Sequence, residues 1–174
     1  LAIVGGDVKS LPSWVKGERV KALNLVRLGS RYQVMIPMAD ESTQAWRTRY
    51  LKGWVRWAGV PDEFWTDPAG GTMSDKFLEA MAGDGILEVC GGEVHSQVGT
   101  TKRHGAIAEE KFAKTLETVQ PRDRSEWESC LIETLAAKHR TMLHHGFAPC
   151  QHVFGRTPRL PADILDEQSC IISE

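Results

Sequence analysis

Two aspartates, Asp7 and Asp67, stand where strands could bring carboxylates together. Asp7 closes the apolar run LAIVGG, and Asp67 follows DEFWT and precedes the turn-rich PAGG. In a sheet whose first and fourth strands are neighbours, both side chains would emerge side by side. Two hard oxygen ligands at that spacing suit Mg²⁺ or Mn²⁺, which accept carboxylates and keep several waters. Such ions activate a water or hydroxyl and stabilise the leaving oxygen at a phosphodiester. A plainer reading competes with this one. Asp before Pro and Gly is ordinary turn chemistry, and Asp7 could be a solvated strand end.

A second group of chemically capable residues lies on one expected helix. Lys102, Arg103 and His104 open it, and Lys111 and Lys114 follow. Cations at a helix N-terminus oppose the helix dipole, a cost that makes sense if they meet an anion. They would then make sequence-independent phosphate contacts, although a solvated helix face explains them equally well. Zinc finds no support. His139, His144 and His145 are expected on one helical segment with no i,i+4 pair, and Cys90, Cys130, Cys150 and Cys170 make no CxxC.

The elements that must position these residues follow from pattern. LAIVGGDVKS, VKALNLV and RYQVMIP read as strands, the last two flanking a Leu28-Gly29-Ser30 turn. A helix from Glu41 to Ala58 puts Trp46, Tyr50, Trp54 and Trp57 at helical spacing, a stripe best read as core. DEFWTD and ILEVC are short strands, with Ser74 capping the helix between them. GGEVHSQVG reads as a loop, followed by a helix over TTKRHGAIAEEKFAKTLETV whose buried face holds Ala108, Phe112, Leu116 and Val119. Ser125 with Glu128 forms a capping box for a last long helix reaching about His145. Antiparallel strands followed by strand–helix alternation imply an α/β protein. Its order is that of an RNase H-like fold, a central mixed five-stranded sheet flanked by helices.

Composition sets the outer bounds. The 174 residues suit one domain, residues 1–165, with a tail over 166–174. A net charge of -2 provides no global basic field, so any nucleic-acid surface must be local. No apolar run approaches the ~20 residues of a membrane helix, and no signal or transit peptide is legible, so no membrane partner is expected. Unpaired cysteines fit a reducing compartment, and a start without Met fits a piece of a longer polypeptide.

Taken together, GDVK, GSRYQVMIP, WVRWAGVPDEFWTDPAGG, HSQVGTTKRHGAIAEE and APCQHVFGRTPRLP resemble the catalytic core of retroelement integrases. These are the DDE polynucleotidyl transferases of retroviruses and LTR retrotransposons. The resemblance runs from about Ile3 to Leu165. It implies an intracellular protein, nuclear if it acts on chromosomal DNA, that binds element ends and target DNA and pairs as a homodimer or higher oligomer. It also implies Mg²⁺- or Mn²⁺-dependent 3′-processing and strand transfer, with Asp7 and Asp67 as the catalytic metal ligands. The family's third ligand is the glutamate of G-x-x-E-x-x-G, whose place between Gly99 and Gly105 is taken here by Lys102.

That exchange changes the local charge by two units, and unit charges ~4 Å apart interact by roughly 4 kcal/mol at an effective dielectric near 20. Of the nearby carboxylates, Glu109 lies two turns on, Glu93 sits in the preceding loop, and Glu110 points elsewhere. Impaired chemistry is therefore expected. The alternative is a non-catalytic module that keeps the fold for DNA binding or assembly, with Lys102 replacing a cation between Asp7 and Asp67. A nuclease of the same fold would use the same aspartates.

Overall fold

The computed structural model describes residues 2–66, 75–86, 88–91 and 95–157, with the side chains of 88–91 and 95–98 excepted. Asp67, the Ser74 cap, Glu93 and the 166–174 tail lie outside the described residues. Strands β1 (Ile3–Pro12), β2 (Arg19–Arg27) and β3 (Gln33–Pro37) form an antiparallel meander. β4 (Glu63–Thr66) adds to the other edge of β1 in parallel, and the backbone of β5 (Glu88–Gly91) pairs in parallel with β4. The resulting order is β3-β2-β1-β4-β5, a mixed sheet.

Helices cover both faces. α1 (Thr43–Tyr50), a π-helical turn (Leu51–Val55), the short α2 (Arg56–Ala58) and α3 (Asp75–Gly83) lie on the connections around β4. α4 (His95–Val119), α5 (Arg124–Thr141) and α6 (Pro149–Phe154) follow β5. The two faces have separate cores. Leu23, Leu25, Trp46, Tyr50, Trp54 and Phe64 belong to one, and Ala22, Leu11, Phe112, Trp127 and Leu131 to the other. Strand alternation explains the split: along β2, Leu23 and Leu25 face the first core while Ala22 and Asn24 face the second layer. Both faces of that strand are covered, so all residues from Ala22 to Val26 are buried.

Several boundaries differ from expectation. The tryptophan stripe is core at Trp46 and Trp54, but Trp57 is 42% exposed. The π-helical turn inserts ahead of Trp57 and moves it off the buried face. Gly53 lets this turn pack closely on β3, since a Cβ there would stand 2.1 Å from Ile36 Cδ1. α4 begins at His95 rather than Thr100, because segment 95–99 continues the helix as a first turn. Val119 is exposed at its end. α5 is capped by Asp123, whose side chain accepts from Glu126 N, instead of by Ser125. Glu126 in turn accepts from the N–H of Arg122, the residue before the cap, so the helix start lies two residues earlier than expected. α5 stops at Thr141, leaving His144 and His145 beyond the helix in a turn closed by the His144–Phe147 bridge.

Candidate active site

The β1–β4 ladder runs in register from Ile3↔Glu63 to Gly6↔Thr66. It therefore brings β4 to its end beside the residue that precedes Asp7. Odd-numbered residues of β1 face α4. A Cβ on Gly5 would lie 1.9 Å from Thr101 Oγ1, and one on Gly105 would lie 2.4 Å from Lys9 Cε and 3.0 Å from Asn24 Nδ2. Gly5 and Gly105 are thus two notches that let helix and strand approach closely, and Asp7 lies between them. Gly99 meets nothing within 4 Å, so its side-chain-free surface is open rather than packed.

Asp7 is paired with Lys9, Nζ to Oδ2 at 3.2 Å, with about a fifth of each side chain exposed. Sequence reasoning missed this pair. The signal was present, because residues two apart on a strand share a face. Lys9 supplies a cation at the carboxylate that the resemblance assigns to a metal. Two of the three candidate replacements, Glu109 and Glu110, fall among the described residues. Glu109 is held by Arg19 at 2.5 Å, and Glu110 by Lys114 at 2.7 Å. Neither is directed at Asp7.

The predicted cationic residues separate into two groups. Lys102, Arg103, Lys111 and Lys114 are exposed, with Lys114 neutralised by Glu110. His104 corrects the expectation of a surface phosphate contact: it is 6% exposed and turned inward. Burial, reinforced by the charges of Lys138, Arg31 and Arg103, lowers its pKa to about 4, so it is neutral at pH 7.

Behind the site runs a buried polar chain that pattern alone did not reveal. Lys138, fully buried, reaches Gln33 Oε1 at 2.6 Å and His104 Nδ1 at 2.9 Å. Gln33 Nε2 donates to Asn24 Oδ1 at 2.6 Å, and Asn24 Nδ2 donates to the Thr101 carbonyl at 3.3 Å. Asn24 is the residue opposite Asp7 in the β1–β2 register. His139 Nε2 accepts from Gln33 N at 3.1 Å, and its ring stacks on Tyr32 at 4.0 Å. These bonds satisfy the polar groups that would otherwise be stranded between the sheet and the α4–α5 layer.

As a metal centre, the described residues are a poor fit for two ions. They place one carboxylate, Asp7, next to an ammonium, and no group of three or more His, Cys, Asp or Glu among the described residues could hold a metal. Two divalent ions need more anionic oxygen than that.

No family model matches the sequence, and no curated protein matches it. Solved structures do. The HTLV-2 integrase catalytic core domain in complex with magnesium, in its dimeric form, superposes with a TM-score of 0.69 at 17% identity, covering 86% of this chain and 93% of that one. A chain of the simian T-cell lymphotropic virus intasome in complex with PP2A regulatory subunit B56 gamma gives 0.73 at 17% identity over 91% of this chain and 55% of its own. The BIV integrase catalytic core gives 0.67 at 12% identity, with 86% and 91% coverage. The fold is that of retroviral integrase catalytic cores.

Proposed function

We propose that this chain is the catalytic-core region of a retroelement integrase, a DNA 3′-processing and strand-transfer protein whose chemistry Lys102 impairs. The observation carrying the reading is the β1–β4 ladder, which ends at Gly6↔Thr66, the residues that immediately precede Asp7 and Asp67 in the sequence. The integrase-core fold supports it further. Asp7 and Asp67 are the proposed ligands, sufficient in type for one weakly held Mg²⁺ or Mn²⁺. When bound, such an ion would polarise a phosphodiester oxygen. Lys9 competes with it for Asp7. Exposed Lys102, Arg103 and Lys111 are the proposed contacts to the DNA backbone, and self-association into at least a dimer is expected.

A second reading is favoured by two specific features, the lysine at position 102 and the Lys9–Asp7 pair. Lys9 puts an ammonium on one proposed metal ligand and Lys102 stands in place of another ligand, which suits a non-catalytic module that binds DNA or assembles. Strand-transfer and disintegration assays in Mg²⁺ and Mn²⁺, comparing the protein with Lys102→Glu, separate the two readings. We expect joining only by the variant, and its loss when Asp67→Ala is added. Activity of the unaltered protein that Asp67→Ala abolishes would refute the impairment. Inactivity of both, with duplex binding retained, would favour the module.

A further inference from the structure

A small pocket of about 230 Å³ opens between the β2–β3 turn, the start of α4 and the segment after α5. Arg31, Thr100, Arg103, His104, Leu143 and His144 line it together with Met142. Every ionisable group in that lining is basic. Among the described residues, neither Arg31 nor Arg103 has a carboxylate partner. The convergence has electrostatic consequences within the protein: Arg31 acts on both His104 and His144, and Arg103 on His104, in each case against the protonated form. Burial is the larger cause for both histidines and also lowers the pKa of Arg31.

Holding like charges together costs free energy that the fold must offset elsewhere. Arg31 adds a local cost. It is a non-glycine residue at φ +61, a left-handed conformation that its backbone N–H to Arg27 O bond of 2.8 Å fixes at the hairpin end. Arg31 is thereby anchored, half-buried, in the lining of the pocket. Guanidinium groups bind phosphate oxygens in a planar, two-point fashion, and they are less strongly hydrated than ammonium groups. Met142 and Leu143 add apolar surface to the lining. His144, kept neutral, offers a ring N–H rather than another charge.

We propose that Arg31, Arg103 and His144 form a receptor for one phosphate group of a nucleic-acid backbone. The pocket adjoins the turn of α4 whose Thr101 packs on Gly5, two residues before Asp7. A phosphate seated there would fix a strand beside the candidate active site without reading its bases. The receptor itself stands on the cluster of cations. Its nucleic-acid source rests on the integrase reading above, and free phosphate is the other source of the same chemistry.

Two titrations test the receptor, each with the wild type, Arg31→Asn, Arg103→Gln and the double variant. Asn tolerates the left-handed conformation and Arg103 is exposed, so the fold should survive, as circular dichroism will check. Inorganic phosphate, followed by NMR, should move the Arg31 and Arg103 Nε–Hε signals and the His144 ring signals. The double variant should abolish the His144 response. A fluorescent DNA duplex, followed by anisotropy at several NaCl concentrations, should lose about tenfold in affinity per guanidinium removed. The slope of log K against log salt should shrink by about 0.9 for the lost phosphate contact.

No response of these signals to phosphate, together with unchanged duplex affinity and slope in folded variants, would overturn the receptor. A phosphate response with unchanged duplex binding in the variants would overturn the nucleic-acid source. A phosphate response from a protein that binds no duplex at all would sustain the pocket and count against the integrase reading.

Discussion

At the scale of single residues, the glycines beside Asp7 show how closely the site depends on packing. Thr101 Oγ1 is buried without a hydrogen-bond partner among the described residues, and it fills the space a Cβ on Gly5 would need. Gly5→Ala therefore forces the α4–β1 contact apart. Overpacking of this kind typically costs about 1–3 kcal/mol. Urea unfolding should show that loss, and adding Thr101→Ala should recover part of it, because the two positions share one contact. Additive losses in the double variant would mean that Gly5 matters for another reason. Gly105→Ala should be milder, since its nearest neighbour is the movable end of Lys9. Both glycines were legible in the sequence as letters. The reason for them was not, because it lies in a helix about 100 residues from β1.

At the scale of elements, α4 and α5 are joined to the sheet through basic groups held in neutral or near-neutral form. Burial foremost, then the Lys111 charge, lowers the Lys138 pKa from 10.5 to about 7. Burial also lowers His139 to about 3 and His104 to about 4. Each base binds protons more readily once unfolded, so the unfolded state carries the excess of protons. Stability must then rise with pH, from about 3 (His139) and about 4 (His104) to 6.5, and again from about 7 towards 10.5 for Lys138. Denaturation midpoints measured across pH 4 to 10 should climb through both windows. Lys138→Met should flatten the upper one, although it leaves Gln33 Oε1 short of a donor. A profile falling between pH 7 and 10 in the wild type would contradict a neutral-leaning Lys138. Pattern reasoning placed these helices well and their caps and ends less well. Capping depends on which side chain reaches which free N–H, and Asp123 stands just outside the first turn whereas Ser125 is already inside the helix.

At the scale of the whole molecule, one surface invites self-association. A groove of about 520 Å³ runs between β3, the π-helical turn, α5 and α6, lined by Val34, Ile36, Leu135 and Phe154. β3 is the outer strand of the sheet on that side, and Ile132 is 67% exposed at the groove. Isolated apolar residues need no explanation, but an apolar groove beside a sheet edge does. If the expected homodimer uses it, Ile132→Glu should shift sedimentation towards monomer at unchanged fold. A dimer equally tight in the variant would place the contact elsewhere. No helix among the described residues is long and apolar enough to cross a membrane.

The sequence by itself determined the succession of elements, the mixed sheet with helices, the strand position of Asp7 and the lysine at position 102. These are properties of local pattern: apolar period, turn chemistry and residue identity, each readable over a few neighbours. Only the tertiary structure decided what those residues meet. It set Lys9 against Asp7, turned His104 inward onto Lys138, and gathered Arg31, Arg103 and His144 at one pocket. Gln33 and Lys138, 105 positions apart, bond at 2.6 Å. Such partnerships follow from strand register and helix packing, which fix direction and distance between segments that carry no local mark of each other.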